Sequence, residues 1–114
     1  MLEPKIKKFT IFLRLFCKKN IVGITLCPFG IYVDNLKSFT LINHEKIHWN
    51  QQLEMLIIPF YIWYFIEWLI KLIFFKNAYN NISFEREAYL NDKNCNYLKT
   101  RKHYAWIKFI FKIK

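Results

Sequence analysis

His44-Glu45-Lys46-Ile47-His48 sets two imidazoles one helical turn apart, with a carboxylate directly after the first. On a helix, residues i and i+4 project from one face, so both rings can reach a single metal ion. Zinc takes such nitrogens at about 2.0–2.1 Å, and a catalytic zinc centre needs three protein ligands and one open position. Glu45 is turned about 100° around the helix from His44. There it flanks the metal without binding it and can take a proton from water. A third ligand can come from Phe84-Glu85-Arg86-Glu87-Ala88-Tyr89, with Glu85 the first candidate and Glu87 the reserve. The two glutamates lie two residues apart on one helix, so both cannot easily face the histidines.

The plain alternative is a surface helix whose polar face carries His44, Glu45, Lys46, His48, Asn50, Gln51 and Gln52. Gln51 shares the histidine face and can contact either a ligand or substrate. The chain has 8 acidic residues, and three of these, Glu45, Glu85 and Glu87, fall at motif positions. That scarcity weighs toward a site.

An HExxH helix followed by a glutamate from a later helix resembles the gluzincin class of zinc metallopeptidases. The resemblance implies Zn²⁺ held by His44, His48 and Glu85, with Glu45 as general base in peptide-bond hydrolysis. In that class the third ligand often stands in an ExxxD or ExxAD context. Here Glu85 and Ala88 match, and Tyr89 replaces the aspartate. That aspartate orients a metal-bound histidine, so Glu87 or Tyr89 would have to substitute for it. The extended motif with Gln51 also resembles short bacterial zincin-like proteins. The similarity covers roughly Ile24 to Tyr97, and only the two short motifs in it are specific.

Several elements must position these residues. Ile6, Phe9, Leu13 and Phe16 can share a face of a short amphipathic helix over residues 5–18. Arg14 interrupts the apolar run, and no small-residue cleavage site follows, which argues against a secretory signal. Asn20–Val33 is β-branched, aromatic and almost uncharged, and reads as strand with a bend or hairpin turn at Pro28 and Gly30. Helix is expected from about Leu41, capped by Thr40 or Asn43, with an interruption at Pro59. Asn77–Asn81 reads as a loop, Ser83 as the start of the glutamate-bearing helix, and His103–Ile113 as a basic, aromatic helix. The expected fold is mainly α with a small β element, a minimal zincin-like α+β domain covering residues 1–114. The motif helix should pack on the strands, and the apolar helix 60–75 should pair with the helix from Ser83.

From Met55 to Phe75 the chain is apolar over about the 20 residues a bilayer-crossing helix needs. Pro59, Glu67 and Lys71 stand against a span, although Glu67 and Lys71 can neutralise each other at i,i+4. The segment is therefore either a membrane-embedded helix or the central helix of a small core. Trp63, Tyr64 and Trp68 resemble interfacial aromatics. The formal charge is +10, with basic residues crowding both ends among large apolar groups. That pattern suits an anionic membrane surface, and no recognised nucleic-acid motif accompanies it.

With 3 cysteines and no CxxC pair, neither a disulfide framework nor a cysteine zinc site is expected. Cys17 and Cys27 read as small core residues, and His103 as exposed or interfacial.

The expected protein is a small zinc metallopeptidase acting on a peptide or protein substrate. Its expected location is the cytoplasmic face of a bacterial inner membrane, or alternatively the cytoplasm. The competing reading is a non-enzymatic membrane-associated protein with a structural or vestigial zinc site. Oligomeric state is not encoded in any of these features.

Overall fold

A computed structural model describes residues 4–8, 23–74 and 78–110. Three short strands, β1 (Ile6–Lys8), β2 (Gly23–Leu26) and β3 (Gly30–Val33), form one sheet in the order β1-β3-β2. β2 and β3 make an antiparallel hairpin pairing Gly23 with Val33 and Leu26 with Gly30. β1 joins β3 in parallel, with Ile6 opposite Ile31. Gly30 has φ +141°, and a Cβ there would meet the Lys5 carbonyl oxygen at 2.8 Å. Only glycine allows β1 to approach so closely. Of the strand expected over Asn20–Val33, Gly23–Leu26 and Gly30–Val33 are strands joined by a hairpin turn at Pro28, and 20–22 lies outside the described residues. The expected helix over residues 5–18 is not where it was placed at its start: Ile6–Lys8 is strand, while Phe9–Cys17 lies outside the described residues. Alternation of basic and apolar groups fits either period over so short a stretch, and pairing with β3 decides it.

The motif helix α1 spans Phe39–Glu54. It starts at Ser38, whose Oγ accepts from the Leu41 N–H, and not at Thr40 or Asn43. Two further helices follow: α2 (Ile58–Phe74) and the single turn α3 (Ala78–Asn81), the latter replacing the expected loop. The glutamate-bearing helix α4 (Ser83–Asn91) begins at the expected residue. A short α5 (Tyr97–Thr100) and a 3-10 turn over Ala105–Phe109 close the described chain. The latter is a tighter turn beginning two residues after His103, where a helix over His103–Ile113 was expected; the end of that expectation, 111–113, lies outside the described residues.

α1 ends abruptly. Pro59 has no N–H to continue the ladder of α1 and instead stands in the first turn of α2, where none is needed. The chain turns through Leu56 (φ 59°) and Ile57 (φ 69°), so that α1 and α2 meet at 113°. Left-handed backbone is costly at bulky or β-branched residues, and Ile57 is kept there by packing into the sheet-side core.

Two apolar clusters hold these elements. One joins Cys27, Ile31 and Val33 of the sheet region to Trp49 of α1. The other joins Phe60 of α2, Ile82 and Phe84 around the start of α4, and Trp106. α2 and α4 meet at Phe60 and Phe84, whose ring centroids are 4.4 Å apart.

Candidate metal centre

α1 and α4 bring His44, His48 and Glu85 to one point. The His44 Nε2–Glu85 Oε1 distance is 3.2 Å, His48 Nε2–Glu85 Oε1 is 3.1 Å, and the two Nε2 atoms are 3.2 Å apart. Ligands around a tetrahedral zinc at about 2.0–2.1 Å are separated by about 3.3 Å, so this triangle fits a metal ion of that size without rearrangement. The group could hold a metal ion, and no fourth His, Cys, Asp or Glu joins it among the described residues.

Hydrogen bonding behind each ligand supports the same conclusion. Gln51 Nε2 donates to the Phe84 carbonyl at 3.0 Å and to Glu87 Oε1 at 2.9 Å. Both partners are acceptors, which fixes the amide's orientation. Gln51 Oε1 then faces His48 Nδ1 at 2.7 Å, and the imidazole must carry its proton on Nδ1. Asp92 Oδ2 lies 3.1 Å from His44 Nδ1 and sets the same tautomer there. With neutral rings, two Nε2 lone pairs and a carboxylate oxygen converge within 3.2 Å with no hydrogen between them. Such a cluster repels itself unless a cation sits among its members. Tyr64 completes the set by donating to Glu85 Oε2 at 2.9 Å.

The electrostatics of the protein without metal agree. Burial pushes the His48 imidazolium down, but Glu85 beside it outweighs burial and, helped by Glu45 and Gln51, lifts it to about 9. Burial raises the Glu85 carboxyl, yet the two histidines hold it well below the usual carboxylate range. A proton thus substitutes for the cation. Burial and the Glu85 charge raise the hydroxyls of Tyr79 and Tyr89, keeping both protonated beside the centre.

Glu45 is buried and stays out of the ligand triangle. The Thr25 hydroxyl lies 2.8 Å from Glu45 Oε1 and 2.9 Å from its backbone carbonyl oxygen, pinning the carboxylate against β2. Gly23 makes room for it, since a Cβ there would stand 3.1 Å from Glu45 Oε2. Gln52 fixes the same helix to the strand, accepting from the Cys27 N–H and donating to the Thr25 carbonyl. The Thr25 carbonyl and the Cys27 N–H are thereby both paired with α1.

Of the two candidate third ligands, the structure brings Glu85 to the histidines and turns Glu87 away. Glu87 binds Gln51, Tyr97 and Arg101, and Arg101 also forks onto Glu54 at 2.7 and 3.1 Å. Neither Glu87 nor Tyr89 takes the histidine-orienting place. Tyr89 packs its ring on His44, centroids 4.5 Å apart, and Asp92 makes the hydrogen bond. Asp92 was missed because the expected aspartate stood four residues after Glu85. It lies seven after, two turns along the same face. Asn43 helps to hold it there by donating to its backbone carbonyl at 2.8 Å. Glu54 anchors Arg101, and His103 is exposed as expected.

The charged pair inside the apolar stretch also serves the centre. Glu67 Oε2 accepts from Lys71 at 2.6 Å and from the Ser83 N–H at 2.6 Å, while Oε1 accepts from the Ser83 hydroxyl at 2.6 Å. A carboxylate from α2 thus caps α4, two residues before Glu85, where a carboxylate suits the helix dipole.

Among the described residues no single helix is long and apolar enough to cross a membrane, and only α1 and α2 taken together, across their bend, pass by length and composition. Compared with known proteins, the chain matches no family model, no curated protein and no solved structure.

Proposed function

We propose that the protein is a small zinc-dependent hydrolase of peptide bonds. The observation that carries this reading is the convergence of His44 Nε2, His48 Nε2 and Glu85 Oε1 within 3.2 Å, with the Glu45 carboxylate acting on His48 and no fourth His, Cys, Asp or Glu joining them among the described residues. Two nitrogens and one oxygen in a three-plus-open arrangement suit Zn²⁺ better than the oxygen-seeking Mg²⁺ or Ca²⁺.

Zinc held by His44, His48 and Glu85 would supply a Lewis acid to the substrate carbonyl and acidify the attacking water. The chain's own residues do the rest. Asp92 and Gln51 keep both imidazole lone pairs aimed at one point. Glu45, with Oε1 held by Thr25, uses Oε2 to take the proton of the attacking water. The new C–O bond forms, the C–N bond breaks, and the same proton leaves on the amine. Tyr79 and Tyr89, hydrogen-bonded to each other and kept protonated by burial and the Glu85 charge, stand beside the centre.

A structural metal site is the second reading, favoured by the burial of its ligands: His44 is 6% exposed and Glu85 3%. The test is cleavage of a peptide library by protein loaded with one equivalent of zinc. Cleavage that a chelator abolishes and zinc restores supports the hydrolase. Stoichiometric zinc without cleavage, across pH and detergent conditions, assigns the site to structure instead.

A further inference from the structure

α2 is inverted. Its buried residues are Phe60, Glu67 and Lys71, with Tyr64 beside them, a row at i, i+4, i+7 and i+11 that faces α3, α4 and the 3-10 turn. Its charges thus point into the protein, where Lys71, Glu67, Ser83 and the Asn81 carbonyl satisfy one another. The outward side carries Ile62, Phe65, Ile66, Leu69, Ile70 and Ile73, all exposed, Ile73 to 76%. At about 100° per residue, the exposed apolar arc from Tyr61 round to Phe74 covers about 220° of the helix.

We propose that this face is a lipid-docking surface, seated in the outer acyl region of an anionic phospholipid bilayer, with the helix lying along the membrane. Three observations choose lipid over a protein partner. A packed helix covers a stripe of about 100°, and a second copy of the chain pressed on α2 would leave about half the arc in water, whereas hydrocarbon contacts all of it. The face also makes no polar demand. Tyr61 and Trp63, near its two margins, turn their polar atoms inward, Tyr61 donating to the Thr25 carbonyl and Trp63 to Glu67. Finally, the formal charge of +10 complements anionic headgroups. The 3-10 turn packs at the Trp63 margin through Trp106, ring centroids 5.6 Å apart, and carries exposed Ile107 and Lys108. The described part of α2, 17 residues, is about 25 Å long, short of the roughly 30 Å hydrocarbon core. That length fits a helix lying in one leaflet. This inference is independent of whether the metal centre turns over substrate.

The experiment is flotation of the full chain with phosphatidylglycerol or phosphatidylcholine vesicles after detergent removal, beside the double variant Ile66→Glu with Ile70→Glu. Both positions are exposed, so circular dichroism and zinc stoichiometry should match the parent. The parent should float with phosphatidylglycerol vesicles, and the double variant should partition at least about tenfold more weakly. Lipids brominated in the upper acyl chain should quench the parent's tryptophan fluorescence. Equal flotation of parent and variant overturns the proposal, as does absence of quenching. A detergent-free dimer that the double variant dissociates, with no vesicle binding, overturns it in favour of a second copy.

Discussion

Asp92 Oδ2 sits 3.1 Å from His44 Nδ1, on the side of the ring away from the ligand triangle. Removing a hydrogen bond of this kind behind a metal ligand typically weakens metal binding 10–100-fold. Asp92→Ala should show that loss in competition with a chromophoric chelator, while Asp92→Asn, which keeps an acceptor oxygen, should recover part of it. His44→Ala should lose the metal outright.

Glu45→Gln should bind zinc as the parent does, since Glu45 stands outside the triangle. The amide cannot accept the water's proton, and peptide cleavage should fall by about 10²–10⁴-fold. Parallel zinc titration and peptide kinetics check both halves. Unchanged cleavage would remove Glu45 from the role of base.

With His48 near 9 in the metal-free protein, metal uptake at pH 7 must expel a proton. Calorimetry in buffers of different ionisation enthalpy should find about one proton released per metal, and zinc affinity should rise about tenfold per pH unit below 9. The chelated protein should also lose stability as pH climbs. A raised His48 stabilises fully below its ordinary 6.5, and that contribution fades as pH passes through about 9. The depressed Glu85 acts in the opposite sense: its contribution is present above the ordinary 4.5 and is lost as pH falls further. Thermal melts of chelated protein at pH 5.5 and pH 9 should differ accordingly, and zinc should narrow the difference.

Arg101 joins two carboxylates whose side chains are almost wholly buried, Glu54 and Glu87. Arg101→Ala strands both charges and should cost about 3–5 kcal/mol in urea denaturation. It should also loosen zinc, because Glu87 helps to fix the Gln51 amide that holds His48.

Leu56 is 80% exposed and left-handed. Glycine has no penalty there, so Leu56→Gly should stabilise the protein by about 1 kcal/mol, read as a higher denaturation midpoint.

The motif residues were legible because HExxH geometry is local: the spacing alone puts His44 and His48 on one face. The hairpin was legible too, since Pro28 and Gly30 interrupt a β-branched run. What could not be read was whatever depends on residues distant in sequence. Asp92, Tyr64 and Thr25 acquire their roles only when α4, α2 and β2 close around α1. Glu87 and Glu85 were indistinguishable by type, and the competing attraction of Arg101 separated them. The apolar stretch and its interruption near Pro59 were legible, but not the left-handed backbone at Leu56 and Ile57 that makes the break, because bulky residues give no warning of it.

The Gln51 lock has a kinetic consequence. His44 and Asp92 are 48 residues apart in the chain, and Arg101 and Glu54 are 47 apart. Contacts of such high order form late, after loop closure has been overcome. A nascent chain halted before Phe84 would already present two helical histidines to a passing ion, but with a mobile amide behind one of them and no Glu85. Selective loading should therefore await docking of α4, so that truncation before it would yield a chain that captures metal loosely and indiscriminately.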